Sequence, residues 1–193
     1  TMLINKMASL YAEGKGVSQD SAQALALWTK SAELGNPYAM VEVGLAYYYA
    51  RGGYKKDEKK AFEWEMKAAE LGYDRALRNV AWNYREGTGV GKDPQKAIEY
   101  YKKAISIGNV KAMYDLGCMY WIGEGILVNM DEAIKYLEMA ADRNDIDALR
   151  SIGYIFNKGE GVKKDEKKAF EYTLKAAELG DSIAQYNAGI DYH

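Results

Sequence analysis

The sequence predicts an all-α solenoid on three observations. These are a 36-residue period, apolar residues at helical spacing within each period, and a capping residue or a glycine wherever a helix has to begin or end. The period shows at Leu3, Ala39, Ala76, Ala112, Ala148 and Ala184, which open equivalent units. Five residues on comes a small residue, Ala8, Gly44, Ala81, Gly117, Gly153 or Gly189, and three further on an aromatic, Tyr11, Tyr47, Tyr84, Tyr120, Phe156 or Tyr192. A unit of this length buries its apolar face only against its neighbours. The 193 residues therefore read as one repeat array, with units at about 3–38, 39–75, 76–111, 112–147 and 148–183 and a partial sixth at 184–193.

Each unit divides into two helices. The first, for example residues 112–122, runs into a Gly-x-Gly turn: Gly14-Lys15-Gly16, Gly87-Thr88-Gly89, Gly123-Glu124-Gly125 and Gly159-Glu160-Gly161. In the second unit the turn is Ala50-Arg51-Gly52-Gly53-Tyr54, one residue longer, which predicts a local bulge or altered curvature. The second helix opens at Asp20, Asp57, Asp93, Asn129 and Asp165, whose short side-chain oxygens suit a free N–H of the first turn. Pro94, directly after Asp93, fits the first helical position, where a missing N–H does no harm. That helix ends at Gly35, Gly72, Gly108, Asn144 and Gly180, and Asn is the residue after Gly that best accepts a left-handed conformation. Ala24, Ala61, Ala97, Ala133 and Ala169 let the paired helices approach closely, so Leu at Gly117 or Ala133 would overpack the core. Residues 55–72 and 163–180 differ at three of 18 positions, the mark of an internal duplication.

Composition narrows the function. With 48% hydrophobic and 28% charged residues the chain supports both a continuous core and solubility, and a net charge of −2 argues against a general binder of nucleic acid or anionic membrane. No apolar run approaches the roughly 20 residues of a spanning helix, so no membrane insertion is expected. Residues 1–10 lack the layout of a signal peptide. Cys118 is the single cysteine, so no intrachain disulfide can form.

The pattern Ala112-Met113-Tyr114-Asp115-Leu116-Gly117-Cys118-Met119-Tyr120, with Gly159-Glu160-Gly161-Val162 and Lys175-Ala176-Ala177-Glu178-Leu179-Gly180, resembles the Sel-one-like repeat family, relatives of the tetratricopeptide repeats. The resemblance covers five units and the opening of a sixth. It implies a right-handed superhelix of antiparallel helix pairs whose first helices line the concave face, and a role as a protein-interaction adaptor or scaffold without catalysis or cofactor.

Helical geometry then marks the face turned away from the core. The residue before each unit, and those two, six, nine and ten after its first, share one arc of about 100°. They are Tyr38, Val41, Leu45, Tyr48 and Tyr49; Arg75, Arg78, Trp82, Arg85 and Glu86; Lys111, Tyr114, Cys118, Trp121 and Ile122; and Asp147, Arg150, Tyr154, Asn157 and Lys158. Four of the six arginines lie on this stripe, which is basic and aromatic within an acidic chain. Arginine grips carboxylates with paired hydrogen bonds, and Trp and Tyr offer rigid apolar surface. Candidate partner-binding residues are thus Tyr48, Tyr49, Arg75, Arg78, Trp82, Arg85, Lys111, Tyr114, Trp121, Arg150 and Tyr154, with a peptide or protein of acidic character as the expected partner. The alternative reading of the same residues is that they cover neighbouring helices and pair with Glu86 and Asp147.

Two other classes compete. The family resemblance brings β-lactam binding or hydrolysis with it, yet the chain has no Ser-x-x-Lys, and its one histidine is His193, so neither a Ser/His pair nor a histidine metal site can be assembled in the array. The stretch 87–93 imitates a phosphate loop but has Glu86 at its first glycine position and Asp93 where Ser or Thr belongs. Cys118 reads as a small helix-surface residue, and 163–168 as a solvated face. The third class is self-association: an array that opens within a first helix and stops at residues 191–193 predicts either a piece of a longer array or copies paired end to end.

Overall fold

The computed structural model describes residues 1–191; Tyr192, the aromatic of the sixth unit, and His193 lie outside the described residues. All regular structure among the described residues is helical. The chain forms two compact units. The first, Thr1–Ile107, holds α1 (Met2–Glu13), α2 (Ser21–Glu33), α3 (Pro37–Tyr49), α4 (Glu58–Glu70), α5 (Asp74–Glu86) and α6 (Pro94–Ser106). The second begins at Gly108 and holds α7 (Val110–Ile122), α8 (Met130–Ala141), α9 (Ile146–Lys158), α10 (Glu166–Glu178) and α11 (Ser182–Asp191). Within the units, α3 packs on α4 of its own repeat and on α2 of the repeat before, α5 on α6 and α4, and α9 on α10 and α8.

The predicted caps are in place. Asp20, Asp57, Asp93, Asn129 and Asp165 each accept a hydrogen bond from the N–H three residues on, at 2.9 to 3.1 Å. Gly35, Gly72, Gly108, Asn144 and Gly180 all have positive φ. The same cap residues also clasp the repeat shut: the N–H of Asp20, Asp57, Asp93, Asn129 and Asp165 donates to the carbonyl of Tyr11, Tyr47, Tyr84, Tyr120 and Phe156, at 2.8 to 3.0 Å. The recurring aromatic thus marks where the first helix hands its carbonyl to the second. Its ring stacks on the second helix, Tyr84 on Tyr100 at 5.8 Å, Tyr120 on Tyr136 at 6.0 Å and Phe156 on Tyr172 at 6.2 Å between centroids.

The longer turn of the second repeat keeps this clasp by absorbing its extra residue outside it. A Cβ on Gly52 would press on the carbonyl of Ser21 at the start of α2, and one on Gly89 would press on the equivalent Glu58 carbonyl of α4, so these two glycines share one register. A Cβ on Gly53, at φ 90°, would meet no atom within 4 Å, so the extra residue is accommodated there. Tyr54, which follows it, lies tilted against Tyr47 at 4.3 Å between centroids. The core of the first unit is formed around Val41, Val43, Val80 and Tyr101, and that of the second around Leu116, Leu137, Leu149, Ile152 and Ile155, all fully buried.

Candidate functional site: an aromatic and charged helix face

In the first unit Tyr48 and Tyr49 close α3, and Arg75, Arg78, Trp82 and Arg85 follow one face of α5 at helical spacing. Tyr48 meets Tyr49 edge-on at 4.8 Å and Trp82 edge-on at 6.4 Å between centroids, so α3 and α5 share an aromatic patch. The Arg51 guanidinium lies 4.6 Å from the centre of the Tyr49 ring, and the Lys56 ammonium 5.6 Å from that of Tyr48. Tyr49 is 56% exposed, which leaves much of this surface open to a partner.

Behind the patch is a cavity of about 280 Å³, walled by Leu45, Tyr48, Tyr49, Trp82 and Arg78 and bordered by Glu65 of α4. Glu65 is 7% exposed. Asn79 Nδ2 donates to its Oε1 at 2.8 Å and Asn83 Nδ2 to its Oε2 at 2.5 Å. Burial pushes the Glu65 carboxyl above the ordinary carboxylate range, against the opposing pull of the Asn83 and Asn79 hydrogen bonds and the charge of Arg75. A Cβ on Gly44 would lie 3.2 Å from Glu65 Cγ, so the small residue of α3 is what admits the Glu65 stem beside the helix backbone.

The cations of the stripe are largely paired within the fold. Arg75 Nη1 donates to Glu42 Oε1 at 3.0 Å, and Arg85 Nε to Glu86 Oε1 at 2.8 Å. One stripe position is corrected by the structure. Val41, placed by the arc with the outward residues, is a short apolar side chain and is fully buried, whereas Arg78 at the same position of the third repeat borders the cavity.

The second unit carries its own section of the stripe. Lys111 Nζ bridges Asp145 at 2.9 Å and Asp147 at 3.0 Å, and Arg150 pairs with Asp147 at 2.8 Å and Asp181 at 3.5 Å. These contacts hold the Asp147 carboxyl below its usual range, chiefly through the Lys111 hydrogen bond, and raise the Lys111 ammonium, chiefly through that of Asp145. Trp121 lies 6.0 Å from Tyr154 and donates its Nε1–H to Glu160 Oε1 at 3.1 Å. Burial, with the neighbouring Cys118, pushes the Tyr114 hydroxyl up to about 12. Arg150 and Tyr154 border a cavity of about 840 Å³ among α9, α10 and α11.

The sequence reading missed the Glu65–Asn79–Asn83 group. A signal was present: at the register of Glu65 the other repeats carry Trp28, Tyr101, Leu137 and Thr173, none of them charged. Among the described residues, no group of three or more His, Cys, Asp or Glu side chains is placed to hold a metal, and no helix is long and apolar enough to cross a membrane.

Comparison with known proteins agrees with this geometry. A family model described as Sel1 repeat matches residues 3–36, 37–73, 74–109, 110–145 and 146–181. The crystal structure of c5321, a protective antigen of uropathogenic Escherichia coli with an SLR fold, is 32% identical, with a TM-score of 0.86 over 97% of this chain and 40% of its own. A Sel1 repeat protein from Oxalobacter formigenes is 31% identical with a TM-score of 0.86, covering 95% of this chain and 74% of its own. Among curated proteins, the chitin synthase regulator SKT5 of Saccharomyces cerevisiae is 32% identical over 87 residues, 43% of this chain and 12% of that protein. HRD3A, an ERAD-associated E3 ubiquitin-protein ligase component of Arabidopsis thaliana, is 36% identical over 58 residues, 30% of this chain and 9% of that protein. This chain therefore matches only a small part of those longer relatives. Five matched repeats, with clasps and caps in register, establish that the chain belongs to the Sel1 repeat family.

Proposed function

We propose that the chain is a non-enzymatic protein-interaction scaffold that receives a peptide or protein segment on the first-helix face of its first unit. Sel1 repeat proteins are in general protein–protein interaction scaffolds, and most relatives are adaptors rather than enzymes. The observation that carries the reading to this face is the Tyr48–Tyr49–Trp82 cluster, joined across α3 and α5 at the mouth of a cavity. Rigid aromatic side chains lose little rotamer entropy on contact and dominate binding energy when a partner desolvates them. Arg78 beside them supplies a fork of donors for a carboxylate, in keeping with a partner of acidic character. Because Glu42 and Glu86 engage Arg75 and Arg85, aromatic surface weighs more here than net positive charge.

The test is capture of partners from the source cell by the wild-type chain and by Arg78→Glu/Trp82→Ala, once both are shown to melt alike. Loss of an aromatic hot spot costs about 2 kcal/mol or more, roughly thirtyfold in affinity, so the double variant should lose a partner of this face. A partner retained at full strength would remove the function from this surface.

A further inference from the structure

Glu65 is hard to account for as packing alone. The segments 55–72 and 163–180 are nearly the same sequence, and position 65 is one of the three at which they differ, with Thr173 as its counterpart. The other repeats place Trp28, Tyr101 and Leu137 in this register, and Tyr101 and Leu137 are fully buried. A carboxylate here forgoes apolar burial and carries a desolvation cost of its own. Its two oxygens receive one amide hydrogen bond each, from Asn79 and Asn83, and among the described residues no cation forms an ion pair with it. Cations do gather at the rim: Lys56 pairs with Glu58 at 2.7 Å and lies over Tyr48, and Arg51 lies over Tyr49. At about 280 Å³ the cavity is smaller than the roughly 300–1,000 Å³ of drug-sized ligand pockets, and suits a single side chain.

We propose that Glu65, with the Tyr48, Tyr49 and Trp82 rings above it, forms a pocket for one basic side chain of the protein partner, a lysine ammonium or an arginine guanidinium. The inference rests on the scaffold reading and gives it an anchor. The aromatic faces attract the entering cation, and the spare lone pairs of the buried Glu65 accept its N–H groups. A carboxylate already hydrogen-bonded by two amides is held in one orientation, so the cation meets a preorganised acceptor. Arg78 stands at the edge of the cavity, while the positive charge that acts on Glu65 within the fold comes from Arg75.

The test uses the whole chain, labelled with nitrogen-15 and titrated with n-butylammonium chloride as a lysine side-chain probe. 1-Butanol serves as the neutral analogue and sodium chloride as the ionic control. The Trp82 indole and the Asn79 and Asn83 side-chain amides should shift and saturate with butylammonium, with 1-butanol at least tenfold weaker. Glu65→Gln should weaken butylammonium at least tenfold while its circular dichroism stays that of the folded wild type. If that variant does not fold, Glu65→Thr, which installs the side chain of the fifth repeat, takes its place. Equal shifts in wild type and variant, equal response to 1-butanol, or no response in the wild type would each overturn the pocket. In the last case, loss of the partner by Arg78→Glu/Trp82→Ala would leave the scaffold face standing, whereas an unaffected partner would overturn the face as well.

Discussion

The small residue of each first helix offers a paired test within the second unit, with Gly117→Ala and Gly153→Ala expected to move stability in opposite directions. Both glycines are helical and buried, so alanine lowers the cost of ordering the backbone by about 0.5–1 kcal/mol at either place. The surroundings differ. A Cβ on Gly153 would meet the Ala169 carbonyl oxygen and Thr173 Oγ1 at 3.4 Å and Tyr172 Cβ at 3.6 Å, ordinary van der Waals distances. A Cβ on Gly117 would lie 2.8 Å from Leu137 Cγ and 3.1 Å from both Leu137 Cδ2 and the Leu137 backbone nitrogen. Leu137 is fully buried and has no room to swing aside, so α7 and α8 must separate or the leucine must leave its rotamer. Overpacking of this kind costs about 1–3 kcal/mol. Gly153→Ala should therefore stabilise by up to about 1 kcal/mol, and Gly117→Ala should destabilise by about 1–2 kcal/mol. Urea unfolding followed by circular dichroism reads both, with about 2–4 °C per kcal/mol expected in the matching thermal melts. Gly117→Ala at or above wild-type stability, or equal shifts in the two variants, would refute the packing argument.

Three further outcomes follow from individual sites. Because the folded Glu65 carboxyl is raised above its unfolded value, it binds its proton more tightly when folded, and its contribution to stability falls as pH rises from the ordinary carboxylate range through its elevated value. Glu58 on α4 and Arg75 and Arg78 on α5 are the charges around it, and the slope from this one proton does not exceed about 1.4 kcal/mol per pH unit. The difference in melting temperature between wild type and Glu65→Gln across acid to neutral pH isolates it, and a pH-independent difference would count against a buried, titrating carboxyl. Ala50 holds a left-handed conformation at φ 54° where other repeats use Gly14, Gly87, Gly123 and Gly159, so Ala50→Gly should stabilise by about 1 kcal/mol, and an unmoved urea midpoint would contradict this. Asp145 caps α9 through the Ala148 N–H at 3.0 Å and pairs with half-exposed Lys111, so Asp145→Ala should cost about 1–2 kcal/mol and Asp145→Asn, which keeps the cap, distinctly less. Equal losses would assign the role to the ion pair.

How much of this was legible in the sequence depends on whether a feature has a residue-type signature. Caps and helix ends do, so Asp20 through Asp165 and Asn144 could be placed from spacing alone. The clasp from Asp93 N–H to the Tyr84 carbonyl joins two backbone groups and leaves no such trace; only its nearly constant aromatic-to-cap interval hints at it. That interval is nine residues in four repeats and ten in the second, from Tyr47 to Asp57, which is why the insertion does not shift α4 out of register. The arc that selected the outward stripe treats each helix alone. It therefore placed Val41 outside and could not see Glu42 reaching Arg75 from the neighbouring first helix 33 positions away.

Glu65 escaped for the opposite reason. Its helix, EKKAFEWEMKAAE, is so rich in charge that one more glutamate reads as solvated surface, and only comparison across repeats shows that it occupies a core register. In a repeat protein each unit is a control for the others. Positions that keep the pattern report what every unit needs in order to fold, and Ala97, Ala133 and the clasp belong to that set. A departure that weakens the core has to be compensated elsewhere. Where the second repeat meets the third, the buried carboxylate of α4, its two asparagine partners on α5 and the aromatic rim occur together at one cavity, while the near-duplicate segment in the fifth repeat carries Thr173 in place of the carboxylate. On the proposed reading, specificity lies in what distinguishes one repeat from its copy, and stability in what the copies share.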